Sequence, residues 1–160
     1  MLVPLVLIGL THKWVACRGS LLLMISNLPM TIMHELAHFT VALLLGGNPS
    51  AISIWPVRNG KRWQLGNVTF RPTVLSTAPT ALAPLLWLIV GGYLLLNKNG
   101  LAEGSLAWLC GIYLCAYVCI SASIPSTQDI RIILRNPMSL MVWASVFYCL
   151  VHFSLLLSGE

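Results

Sequence analysis

Long apolar stretches separated by short polar ones run through most of the chain. Four of them, at residues 20 to 46, 73 to 96, 105 to 124 and 138 to 157, are candidates to cross a bilayer as helices, because about 20 residues rising about 1.5 Å each cover a hydrocarbon layer of roughly 30 Å. Residues 1 to 10 are equally apolar but cover only about half that thickness, so they are expected to form a short or re-entrant segment. Pro29, Pro79 and Pro84 lie inside these runs, where membrane helices accept a break if neighbours satisfy the freed carbonyls. Gly46-Gly47-Asn48-Pro49 marks the stop of the first long helix.

Between the first two runs the period changes. Ala51 to Val57 partly alternates, Asn59-Gly60 is a strong turn signal, and Trp63 to Phe70 alternates again. The pattern predicts a β-hairpin at the membrane surface. Trp55, Trp63 and Phe70 suit that position, since aromatic side chains anchor at the interface. The expected architecture is therefore an α-helical polytopic membrane protein with four or five transmembrane segments and one small hairpin. It forms a single membrane-embedded domain over residues 1 to 160.

Composition agrees: 58% of the 160 residues are hydrophobic, 8% are charged and the mean hydropathy is +0.85. Nine Lys and Arg against four acids give +5, yet the basic residues are scattered and form no block that would track a nucleic acid. Six of them (Arg58, Lys61, Arg62, Arg71, Arg131, Arg135) fall on the hairpin side and three (Lys13, Arg18, Lys98) on the other, which places the hairpin in the cytoplasm. Of five cysteines, Cys110, Cys115, Cys119 and Cys149 lie inside apolar runs without a CxxC pair and read as packing residues. Residues 1 to 10 lack the flanks of a cleavable signal peptide.

The first long run carries His34-Glu35-Leu36-Ala37-His38. Histidines four apart project from one helix face and can close on a single metal ion, with Glu35 beside them to take a proton from a bound water. Zinc suits the pair, because it accepts imidazole nitrogen and keeps a position open for water. With the His and Glu content of this chain, HExxH would arise by chance in about two of a thousand such sequences. A carboxylate at the middle of a membrane helix costs roughly 2.5 to 3.5 kcal/mol on insertion scales, which calls for a functional reason. The bland alternative is a polar cluster that hydrogen-bonds helices together.

A catalytic zinc usually takes a third protein ligand. The other acids are Glu103, Asp129 and Glu160, and Asp129 is the one expected on the hairpin side. His34 and His38 lie roughly 12 to 18 Å along the helix from Gly46, so a broken or re-entrant stretch after Pro125 is needed to keep Asp129 at that depth. Without the histidines, Asp129 would read as a helix N-terminal acid paired with Arg131 or Arg135. His152 is the reserve ligand, and His12 is expected on the far side.

These residues resemble the site-2 protease class of intramembrane zinc metalloproteases. The resemblance rests on His34 to His38 in a membrane helix, then Leu43-Leu44-Leu45-Gly46-Gly47, a hairpin-like stretch, the Pro-rich Ala78 to Pro84 and a later Asp. It covers about residues 20 to 135. It implies a Zn2+ cofactor held by His34, His38 and Asp129, and Glu35 as the catalytic group that activates water. The family commonly has Leu-Asp-Gly where this chain has Gln128-Asp129-Ile130, while a Pro upstream is kept. The extra domains usual in the family are missing, so the chain looks like a minimal form. The implied substrate is a membrane-spanning or membrane-anchored protein, locally unwound, within the lipid bilayer and with no nucleic acid partner. The hairpin would offer it a strand edge or serve as a surface cap. The alternatives are a zinc-binding membrane protein without proteolysis and a structural membrane subunit.

Overall fold

A computed structural model describes residues 2–53, 57–59, 62–64, 66–102 and 104–158. Trp55, Gly60, Lys61, Glu103 and Glu160 lie outside the described residues, as do the side chains of Arg58, Arg62 and Trp63. The chain is mostly helical. Helices α1 (Val3–Ala16) and α2 (Ser20–Leu44) come first, followed by strands β1 (Ala51–Ser53), β2 (Val57–Asn59), β3 (Arg62–Gln64) and β4 (Asn67–Thr69). Helix α3 (Thr77–Leu82) runs through one tight turn at Ala83–Leu85 into α4 (Leu86–Leu96). Then come α5 (Lys98–Ala102), α6 (Leu106–Ala122), α7 (Thr127–Arg135) and α8 (Pro137–Ser158).

The four apolar runs become α2, α3 with α4, α6 and α8, with ends within a few residues of those expected. The first segment is longer than residues 1 to 10, because α1 continues through His12 and Lys13 to Ala16. Helix α2 stops where the glycines predict: Gly46 takes a φ of +67° and the Gly47 N–H reaches back to the Ala42 carbonyl at 2.7 Å. This is the backbone reversal that a residue without Cβ makes at least cost. The predicted hairpin forms as two antiparallel ladders, β1 with β4 and β2 with β3, Asn59 pairing with Arg62 at the turn.

The expectation of four apolar spans narrows. Thr77–Leu96 and Pro137–Leu156 are long and apolar enough to cross a membrane, and Leu106–Ala122 with Thr127–Arg135, bent by 43°, form a third if taken together. Helix α2 has the length, at 25 residues, but Asn27, Thr31, His34, Glu35 and His38 pull its mean hydropathy below that of the others. The distribution of side chains is that expected where lipid is the outer solvent. Small residues such as Ala42, Ala78, Ala81 and Ala116 are buried between helices, while Leu86, Ile89, Phe147, Leu150 and Phe153 point outward.

Helix breaks are knitted by side chains. Pro79 has no N–H for the Leu75 carbonyl, and the Trp143 indole donates to it at 2.8 Å. The Ala78 N–H, near the unsatisfied start of α3, donates to the buried Ser139 hydroxyl at 2.8 Å. Both bonds fasten α8 to α3. Replacing Ser139 by alanine would leave that buried N–H without an acceptor, so Ser139→Ala is expected to lower stability by about 1 to 3 kcal/mol. A fall in unfolding midpoint in detergent would show it.

Candidate metal centre

Three elements converge on one point: the middle of α2, the end of α6 and the start of α7. The His34 Nε2 lies 3.3 Å from Asp129 Oδ2, the His38 Nε2 lies 3.2 Å from Asp129 Oδ1, and the two Nε2 atoms are 3.1 Å apart. His38 and Asp129 are buried and His34 is nearly so. Together they form a group that could hold a metal ion.

Each imidazole is aimed by its second nitrogen. The His38 Nδ1 donates to the Thr80 carbonyl at 2.7 Å, and the His34 Nδ1 donates to the Ala122 carbonyl at 2.9 Å. A carbonyl can only accept, so Nδ1 carries the proton and Nε2 of the neutral ring presents a lone pair. Both carbonyls come from helix interruptions. Pro84 has no N–H to return to Thr80, whose carbonyl takes the Ala83 N–H in a tighter turn and keeps a lone pair for His38. Ala122 is the last residue of α6, and the chain turns away through Ser123-Ile124-Pro125. A further indole bond, Trp87 Nε1 to the Met33 carbonyl at 2.8 Å, ties α4 to α2 next to His34.

Asp129 is fixed by the beginning of its own helix. The Ser126 hydroxyl accepts from the Asp129 N–H at 3.2 Å, and Asp129 Oδ2 accepts from the Ser126 N–H at 2.7 Å, a complete capping box. The break after Pro125 thus takes the form of a bend between two helices, and it holds the carboxylate at the depth of the histidines. Among the described residues the side chains that face its carboxylate oxygens are His34 and His38, not Arg131 or Arg135.

The separations of 3.1 to 3.3 Å join four acceptor atoms, the two Nε2 atoms and both Asp129 oxygens, which repel unless a proton or a metal cation lies between them. The 3.1 Å between the two Nε2 atoms is close to the roughly 3.3 Å edge of a tetrahedron whose metal–ligand bonds are about 2.0 to 2.1 Å, and each nitrogen lies 3.2 to 3.3 Å from one oxygen of the Asp129 carboxylate. The donor set of two imidazole nitrogens and a carboxylate therefore fits a divalent ion.

Glu35 is buried beside this group, and with the two histidines and Asp129 it lines a cavity of about 770 Å³. The hairpin closes over it. A Cβ built on Gly66 would stand 2.6 Å from Glu35 Oε1, 2.7 Å from its Cγ and 2.9 Å from its Cδ, so the backbone at Gly66 lies directly against the carboxylate. Asn67 leads from there to α7, where its side chain accepts a long 3.4 Å bond from Gln128.

His152, the reserve ligand, lies instead on the outer surface of α8 beside Tyr148. His12, expected far from the site, lines the same cavity as the metal group. The reason is that α1 lies against both α2 and α6, a packing that no local pattern encodes. Gly66 and the Ser126 cap were not anticipated either, although a glycine interrupting an alternating run and a Ser-x-x-Asp are both readable signals. Compared with protein-family models, with characterised proteins and with solved structures, the chain matches none.

Proposed function

We infer that the chain is an integral membrane zinc endopeptidase of the site-2 protease kind, which hydrolyses peptide bonds of membrane-spanning or membrane-anchored proteins. The observation that carries this reading is the convergence of the His34 and His38 Nε2 lone pairs with the Asp129 carboxylate, next to a buried Glu35. Metal binding alone needs the first three groups and has no use for the fourth. In this reading α2, α3 with α4, α6 with α7, and α8 cross the bilayer, α1 enters it, and the hairpin faces the cytoplasm.

His34, His38 and Asp129 would hold zinc, which when bound would supply the Lewis acidity to polarise the scissile carbonyl and make water nucleophilic near neutral pH. Glu35 then has two tasks. It accepts a proton as the water oxygen bonds to the carbonyl carbon, and it delivers that proton to the nitrogen as the C–N bond breaks. The buried setting keeps bulk water from competing, and Gly66 holds the carboxylate against the site. A peptide bond inside a helix is shielded by its own hydrogen bonds, so the substrate must unwind to enter.

The test is metal content and proteolysis together. Purified in mild detergent, the protein is expected to hold near one zinc per chain, and His34→Ala and His38→Ala are expected to lose it. Membranes carrying the wild type should accumulate fragments of a membrane protein that membranes carrying those variants lack. A well-folded wild type that takes up no zinc even from added metal would overturn the reading.

A further inference from the structure

The cavity is larger than hydrolysis of one bond requires, and it extends away from the metal group along α2. Asn27, Thr31, His34 and His38 are spaced to lie on one face of that helix, and all four line the cavity. The opposite wall includes His12 of α1 and Ser121 of α6. Polar side chains are costly inside an apolar bundle, and neither the metal nor Glu35 accounts for these.

His12 is built in more firmly than a stray polar residue. Its Nδ1 lies 2.9 Å from the Tyr117 hydroxyl, and the two rings meet edge to face with centroids 5.8 Å apart. A phenol donates more readily than it accepts, so with the Tyr117 hydroxyl donating to Nδ1 the ring hydrogen sits on Nε2. That Nε2 has no hydrogen-bond partner among the described residues and is closed to solvent, so a substrate group reaches it only as the cavity wall opens around the ring. Such a donor is costly to leave unmatched. Tyr117 and Ala122 are five residues apart on α6, so His12 is anchored about 7.5 Å of helix rise from the carbonyl that aims His34.

We propose that His12, oriented by Tyr117, is a substrate-binding residue whose Nε2–H takes a backbone carbonyl of the unwound polypeptide, at the end of a polar groove running from the metal group past Thr31 to Asn27. The groove rests on the protease reading above. From His34 to Asn27 is seven residues of α2, about 10 Å, the length of about three residues of extended peptide. The site thus grips about three substrate residues on one side of the scissile bond by their main chain. It would select for an unwound backbone with little regard to side-chain identity.

The test uses the zinc-loaded full chain in detergent and hydroxamates as probes. Acetohydroxamate reports the metal alone, and hydroxamates bearing one to four residues on either side of the head group report the groove. In one of the two series, affinity should climb up to the third residue. His12→Phe should lose about tenfold of that gain, the worth of one hydrogen bond, with zinc content and acetohydroxamate affinity unchanged. Tyr117→Phe, which keeps the ring but frees the imidazole, should lose part of the gain. His12→Gln, which restores an N–H donor, should recover part. The proposal is overturned if affinity does not grow with length, or if His12→Phe binds the three-residue probes as the wild type does. Failure of the wild type to hold zinc or acetohydroxamate would instead overturn the metal reading beneath it.

Discussion

Glu35→Gln is expected to keep its full zinc content while cleavage falls by about 10²- to 10⁴-fold, the range that a positioned acid–base group supplies. The amide occupies the volume of the carboxylate, and none of the three metal-facing atoms belongs to residue 35. The fold and the metal group should therefore persist. What disappears is the ability to accept a proton from water and return one to the departing nitrogen. Zinc analysis and a cleavage assay on the same preparation separate the two. A Glu35→Gln protein that still cleaves at the wild-type rate would show that another group carries the proton. A protein that loses its zinc would show that Glu35 helps to hold it.

Gly66→Ala should give nearly the same phenotype from a residue outside the group that could hold the metal. The added methyl would meet Glu35 at 2.6 to 2.9 Å, closer than van der Waals contact permits. What it meets is the end of a flexible side chain, so relief is easy: Glu35 rotates away. The expected cost in stability is small, below about 1 kcal/mol, whereas a displacement of about 1 Å at a reacting group lowers rate by about a hundredfold. Zinc content and the unfolding midpoint should stay near wild type. Loss of activity together with loss of fold would mean that the hairpin backbone, not Glu35, had given way.

How much of this was legible beforehand differs from residue to residue. His34, Glu35 and His38 were plain, because the geometry that gathers them is the local repeat of a helix. Asp129 was legible only through its chain order and the break after Pro125. The feature that fixes it, the reciprocal bonding of Ser126 and Asp129, is equally local, and a Ser-x-x-Asp pattern encodes it. The hairpin and the ends of the long helices followed from alternation, glycines and prolines. The place of His12 in the cavity wall depends on how α1 lies against α2 and α6, which no local pattern encodes. The contact between Gly66 and Glu35 likewise joins segments 31 positions apart, and no local rule reaches that far.

The two carbonyls that aim the histidines have a consequence for inheritance. Every amino acid carries a carbonyl, so it is not the side chains of Thr80 and Ala122 that aim His38 and His34, and their burial asks only that a replacement be small. What a descendant must retain is the punctuation of its helices: an imino acid four places after the first carbonyl, and a helix that ends at the second. Relatives of this chain should therefore be sought by the distance from HExxH to a later proline and to a helix end followed by Ser-x-x-Asp. In an alignment, positions 80 and 122 would show small residues chosen for packing, with nothing to mark the carbonyls that aim the site.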